Sequence, residues 1–209
     1  MGEPVILLHG LWLRGFALWP LARRLARAGF APEIFDYPSV RGGPEPAIAR
    51  LAARLAEHGG APHLVGHSLG GLIALETLRR HPGLPVRRVV CLGSPLAGSR
   101  AAARASTRLP RLARALGAGQ RLIVEGIGCW EGRAEVGVVA GSLAWGMGRV
   151  LGRFDGPHDG TVAVAETRIP GLSDHRTIRC NHTGLLLAPA AARLAAAFLR
   201  EGRFGPPPG

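Results

Sequence analysis

Val5-Ile6-Leu7-Leu8 is apolar at every position and runs straight into His9-Gly10. A strand with one wet face alternates apolar and polar residues, so an unbroken apolar run must be covered on both sides, as in a parallel sheet layered with helices. Similar short runs recur along the chain, and in its first half they alternate with amphipathic helices of ten to fifteen residues. Trp19–Ala28 reads as a helix with Leu18, Leu21, Leu25 and Ala28 on one side and Arg23, Arg24 and Arg27 on the other, stopped at Gly29. Pro32–Tyr37 is a second strand. Glu45–His58 repeats the helical pattern through Ile48, Leu51, Ala52 and Leu55. His63–Val65, Val86–Leu92, Val136–Ala140 and Arg176–Cys180 are further strands, and Leu69–Arg80 and Pro189–Arg200 further helices. This alternation is the pattern of an α/β fold with a doubly wound, mostly parallel sheet and helices on both faces.

Between Ser99 and Arg153 the pattern is less regular. Ser99–Leu116 is rich in Ala and Arg and is interrupted by Pro110, and Gln120–Glu125 reads as a short strand or part of an excursion. A small cap over residues 99–153 is expected at most. With 209 residues the chain fits one domain, residues 1–201, and the Gly/Pro tail 202–209 has nothing to bury and is expected to be disordered.

One pentapeptide stands out against this frame. Gly66-His67-Ser68-Leu69-Gly70 lies where the strand His63–Val65 passes into the helix beginning at Leu69. A small residue on each side of a serine at a strand-to-helix turn is the pattern of a nucleophile elbow, in which a strained turn projects the hydroxyl from the end of the sheet. A serine hydroxyl needs a base, and the base needs an orienting partner. Parallel sheets gather such groups at the carboxyl ends of their strands. His182, in Cys180-Asn181-His182-Thr183-Gly184, follows the last strand and is the expected base. His63 and His175 begin strands, His81 closes a helix, and His67 should point away from the hydroxyl beside it. His158 stays open as an alternative. The expected acid is Asp159, in Gly156-Pro157-His158-Asp159-Gly160-Thr161-Val162, with Asp155 as runner-up and Asp174 as an ordinary turn. The oxyanion donors are expected to be the backbone N–H groups of Leu69 and Leu11, with Trp12 second to Leu11. Leu11, Trp12, Leu13 and Phe16 offer an acyl-pocket lining, as do Trp130 and Trp145 from the later excursion, where Met147, Val150 and Leu151 add to an apolar rim. Ser142 and Thr161 are weaker candidates for polar contacts.

The ordered set Ser68, Asp159 and His182, with His9-Gly10 after the first strand, resembles the α/β-hydrolase superfamily over about residues 4–200. The nearest likeness is to small bacterial lipase- or esterase-like members related to deacylases. The resemblance implies that His9-Gly10 marks the oxyanion loop with Leu11 as donor, that Asp159-Gly160-Thr161-Val162 is the acid loop, and that Asn181-His182 carries the catalytic histidine. The chain begins at what would be the third strand of the full family sheet, which implies about six strands. It also implies a serine esterase or lipase-like hydrolase acting on short to medium or lipid-like acyl esters. Acyl transfer to another acceptor, thioester or amide cleavage, and a non-catalytic binding protein on the same fold are the alternatives. No metal or cofactor is called for.

Composition bears on partners. The formal net charge is +12, and all 26 basic residues are arginine. The arginines are spread through every expected helix rather than gathered in one stripe, which argues against nucleic-acid binding, although the positive field suits anionic substrates or membrane surfaces. No run of 18 apolar residues and no signal peptide is apparent, so the expectation is a cytoplasmic protein without a transmembrane segment, with weak peripheral membrane contact through the rim from Trp130 to Leu151. Three cysteines, Cys91, Cys129 and Cys180, are expected to be reduced.

Overall fold

The computed structural model describes residues 2–40, 42–108, 119–145, 154 and 156–205, the side chains of 105–108 excepted. Six strands form one parallel sheet: β1 (Glu3–Leu8), β2 (Phe30–Phe35), β3 (His63–His67), β4 (Arg88–Leu92), β5 (Glu135–Gly141) and β6 (Asp174–Ile178), in the order β2-β1-β3-β4-β5-β6. The helices are α1 (Trp19–Arg27), α2 (Glu45–Ala56), α3 (Leu69–Arg80), α4 (Arg100–Arg108), α5 (Gln120–Glu125), α6 (Gly184–Leu187) and α7 (Pro189–Glu201), with single 3-10 turns at Gly15–Leu18 and Val164–Thr167.

The unbroken apolar runs are explained by two cores, one on each face. Ile6, Leu8, Leu64, Val89, Val136 and Val138 pack with Leu51 and Leu55 of α2 and Leu72 and Leu75 of α3. Val5, Leu7, Val65, Val90 and Val139 pack on the other face with Leu21 and Leu25 of α1 and Phe198 and Leu199 of α7. Neighbouring residues of one strand therefore serve opposite cores, and each fully buried aliphatic side chain contributes about 1.5–3 kcal/mol.

The chain leaves β1, moves outward to β2, and returns to β3 on the other side of β1. The winding direction reverses there, and the carboxyl ends of β1 and β3 diverge into a crevice. The loop His9–Leu13 and the elbow at Ser68 emerge at this point.

Several boundaries differ from the sequence expectation. β2 spans Phe30–Phe35 rather than Pro32–Tyr37, in register with Glu3–Leu8. It is an edge strand, where Pro32 is tolerated, and Tyr37 leaves the ladder to bond to His9. β6 ends at Ile178, two residues before Cys180, whose carbonyl accepts from Leu143 N–H instead. β4 begins at Arg88, because Val86 is held in a turn to Leu84. Gln120–Glu125 is a helix and not a strand.

The expectations for 109–118, for Met147, Val150 and Leu151, for Asp155 and for the tail beyond Gly205 lie outside the described residues. The excursion after β4 includes α4 and α5. All three cysteines are free thiols. No described helix is long and apolar enough to cross a membrane.

Candidate active site

Ser68 sits between β3 and α3 with φ 53° and ψ −119°, a conformation that a non-glycine residue holds only when its surroundings impose it. The constraints are visible. Ser68 N–H donates to Leu92 O at 2.9 Å, tying the turn to β4, and Gly71 N–H donates to Ser68 O at 3.1 Å. A Cβ on Gly66 would lie 2.4 Å from Gly71 N, and one on Gly70 would lie 2.5 Å from Leu8 O. Both flanking glycines are therefore required by close backbone approach, which is the physical content of the pentapeptide.

The loop after β1 comes to the same place. Leu13 N–H donates to Gly10 O at 3.3 Å, closing a turn in which Trp12 takes φ 60°. Gly10 packs so closely that a Cβ there would be 2.9 Å from His67 Nδ1 and 3.1 Å from Ser68 Cβ. His9, fully buried, braces the loop: its Nδ1–H donates to Gly10 O at 2.9 Å, and its Nε2 accepts from Tyr37 N–H at 3.3 Å. The Tyr37 ring stacks on it at 4.2 Å, and the Tyr37 hydroxyl donates to His9 O. Burial pushes the Tyr37 hydroxyl far above its ordinary range, which keeps it a donor. Among the described residues, the amides of Leu11 and Leu69 donate to no protein acceptor. The Leu69 amide also stands at the amino end of the twelve-residue helix α3, where the helix dipole favours negative charge.

Asp159 and His182 meet. The imidazole Nδ1–H donates to Asp159 Oδ2 at 2.7 Å, and His182 main-chain N–H donates to Asp159 O at 2.9 Å. The carboxylate is 1% exposed, and its other oxygen accepts from Thr161 N–H at 2.9 Å and Val162 N–H at 2.8 Å. With Nδ1 committed to Asp159, Nε2 is the ring nitrogen left to act on a substrate or a hydroxyl. Asn181 shapes the loop by accepting Gly184 N–H at 2.8 Å.

His67 belongs to this assembly too. Its Nε2–H donates to His182 O at 3.0 Å, and the two rings lie 4.7 Å apart. Burial, and then the neighbouring His182, push its pKa down to about 3, so it is a neutral donor. The expectation that its side chain points away from the Ser68 hydroxyl concerns only that neighbour; the ring bridges to the His182 segment, a contact that only tertiary structure reveals.

Ser68, His67 and His182 line one cleft of about 330 Å³ together with Leu11, Trp12, Leu13, Pro95, Ala102, Ile123, Trp145 and Val162. That size is in the range of small-molecule sites, and the walls are chiefly apolar. The Ser68 hydroxyl makes no hydrogen bond among the described residues. Such contacts are often loose before substrate binds.

Other expectations are corrected. Trp130 does not reach the cleft: it lies before β5, at the amino edge of the sheet, and is buried with its Nε1–H donating to Ala134 O at 2.8 Å. Phe16 is exposed at the outer side of the β1 loop beside Trp19, Ile34 and Asp36. Ser142 bonds to Ile178 O at 3.2 Å, joining the ends of β5 and β6, whereas Thr161 does line the cleft. His158 stacks on Phe154 and accepts Gly160 N–H at 3.1 Å, so it stays within its own turn. Asp174 caps the chain at His175 and Phe204. Pro95 and Ser99 of the cleft wall could have been anticipated because they follow the carboxyl end of β4. Ala102 and Ile123 carry no such signal. No group of three or more metal-ligating side chains is found among the described residues.

Comparison with known proteins agrees with this architecture. The lipase BlEst2 of Bacillus licheniformis, in its mature form, superposes with a TM-score of 0.79 at 22% identity, covering 97% of this chain and 92% of that one. The monoacylglycerol lipase of Paleococcus ferrophilus gives a TM-score of 0.60 at 18% identity, covering 97% of each chain. The thioesterase domain SrfTE, which cyclises the lipopeptide surfactin, gives 0.57 at 18% identity, covering 96% and 90%. No curated protein sequence matches the chain. The family model for the alpha/beta hydrolase family matches residues 5–204, and the chain belongs to that family.

Proposed function

We propose that this chain is a serine hydrolase that cleaves carboxylic esters through Ser68, His182 and Asp159. The observation that carries the reading is the 2.7 Å contact between His182 and the buried Asp159 carboxylate on the wall of the cleft into which Ser68 opens. Asp159 selects the imidazole tautomer with its proton on Nδ1, so Nε2 can take the Ser68 proton as Oγ attacks the ester carbonyl. The tetrahedral oxyanion is received by the N–H groups of Leu11 and Leu69, which donate to no protein acceptor among the described residues. His182 then returns its proton to the leaving alkoxide, and the alcohol departs from an acyl-Ser68 ester. Water gives a proton to His182 and its oxygen to the acyl carbon. Collapse of the second tetrahedral species yields the carboxylic acid, and the imidazolium proton goes back to Ser68.

The apolar walls formed by Leu11, Leu13, Ala102, Ile123 and Val162 suit the hydrocarbon of a short to medium or lipid-like acyl group. Two of the structural neighbours are lipases by name, which points to the same class of ester. The test is turnover of p-nitrophenyl esters from acetate to laurate by the wild type and by Ser68→Ala. The wild type should hydrolyse at least one of them, and the variant should lose about a thousandfold or more of that rate. Undiminished turnover by pure Ser68→Ala contradicts the mechanism.

A further inference from the structure

The large apolar side chains exposed among the described residues are Trp12, Phe16, Trp19, Leu143, Trp145 and Leu187, between 38% and 72% exposed. They are not scattered. Trp12, Phe16 and Trp19 follow β1, Leu143 and Trp145 follow β5, and Leu187 ends α6 after β6. Because the strands are parallel, all six stand at the carboxyl edge of the sheet, the edge from which Ser68 emerges, and two of them form part of the cleft wall. Isolated exposed apolar residues need no explanation, but their convergence at one end of the molecule marks a surface that a partner covers.

Charge identifies the partner. The stretches that carry these six residues, 4–32, 136–154 and 175–200, contain no aspartate or glutamate at all, while 4–32 carries Arg14, Arg23, Arg24 and Arg27. Arg23 is exposed one turn along α1 from Trp19, on the same side of the helix. Arg179 is exposed at the end of β6. Of the described carboxylates near this edge, Asp36 is paired with Arg14 at 2.6 Å, and Asp159 and Glu166 are buried. Tryptophan and phenylalanine near exposed arginine, with the neighbouring Asp36 neutralised by Arg14, match the headgroup layer of a bilayer bearing negative lipids.

We propose that the edge of the molecule around the Ser68 cleft docks on an anionic phospholipid bilayer, with Phe16, Trp19, Trp145 and Leu187 entering the headgroup layer and Arg23 and Arg179 meeting lipid phosphates. The cleft mouth then faces the membrane. Docking does not depend on ester hydrolysis, so Ser68→Ala binds as the wild type does.

The test is flotation of the full chain with vesicles of phosphatidylcholine alone and of phosphatidylcholine with roughly 30% phosphatidylglycerol, at about 0.1 M salt. The wild type and Ser68→Ala should float with the anionic vesicles, and about tenfold less with the neutral ones. Phe16→Ser/Trp19→Ser/Leu187→Ser, three positions off the cleft wall, should lose about tenfold of that binding while keeping the wild-type Tm and its turnover of a soluble short ester. Should the triple variant fail to fold, Phe16→Ser and Trp19→Ser singly should each weaken flotation. Arg23→Gln/Arg179→Gln should weaken binding to anionic vesicles only. Four outcomes overturn the proposal. The first is wild type that stays in the soluble fraction, and the second is equal binding to both vesicle types. The third is undiminished binding by the folded apolar variants. The fourth is a wild-type dimer that these variants break without any flotation, which would make a second copy the partner.

Discussion

His182 is fastened to Asp159 twice, by its ring Nδ1–H to Oδ2 at 2.7 Å and by its main-chain N–H to the Asp159 carbonyl at 2.9 Å. The second bond fixes where the histidine loop sits, and the first fixes the ring's orientation and tautomer. Asp159 in turn is held by the Thr161 and Val162 amides on its other oxygen. The acid is thus part of the loop's own turn, and its charge is directed by backbone rather than by another side chain.

Asp159→Asn should separate these roles. The Thr161 and Val162 amides would keep the amide oxygen facing them and turn the NH2 group toward His182 Nδ1. The imidazole must then carry its proton on Nε2, where it cannot accept from Ser68. The expected result is a fall in kcat of about 10⁴-fold with KM little changed and the Tm near that of the wild type. Steady-state kinetics and a thermal melt read all three, and a kcat close to wild type would remove Asp159 from the mechanism.

Under the proposed mechanism His67 is a positioning residue. Its Nε2–H holds the His182 carbonyl at 3.0 Å from the elbow side, so one residue links the nucleophile's turn to the base's loop. His67→Ala should lower kcat by roughly 10–100-fold while KM moves little, since substrate contacts stay and only the alignment of His182 is lost. His67→Gln, which can still donate, should recover part of the rate. A drop in Tm or in active fraction, with kcat per active site unchanged, would mean that the contact serves the fold alone.

Much of this was legible before any coordinates. The unbroken apolar runs demanded a sheet buried on both faces, and the two cores supply the reason residue by residue. The elbow was readable because a clash argument selects glycine at Gly66 and Gly70, and the bounds expected for α3 agree with those observed. The places of Asp159 and His182 after late strands suggest that the two meet, and they do, at 2.7 Å. What escaped depended on tertiary context. β2 lies at an edge, where register is set by pairing with β1 and not by an apolar pattern of its own. The six residues of Gln120–Glu125 are too few to display a helical period. Trp130 looked like rim material, yet the chain had already descended to the opposite edge to begin β5.

Stability should fall as the solution is made mildly acidic. Burial holds the pKa of His67 down at about 3 and that of His175 at about 4, and lowers that of His63, against an ordinary value of 6.5. Above 6.5 these rings are neutral in the folded and unfolded chain alike and add no pH dependence. Below it the unfolded chain binds protons that the folded chain refuses, so stability drops as pH falls from about 6.5 toward about 4. The fully buried His67 alone accounts for about 1.4 kcal/mol per pH unit in that window. Glu166, whose pKa burial raises, works in the opposite sense just above the ordinary carboxyl range. Urea melts at about pH 7.5 and about pH 5.5 should show the lower midpoint at the acid value, and a constant or rising midpoint would contradict the assignment.

In the proposed mechanism Ser68 is made nucleophilic by His182. A fluorophosphonate probe, followed by intact mass and peptide mapping, tests it directly. One adduct per wild-type chain is expected, located on Ser68, with none on Ser68→Ala and labelling of His182→Ala slowed by about a thousandfold or more. An unlabelled wild type, an adduct on another residue, or equal labelling of His182→Ala would contradict it.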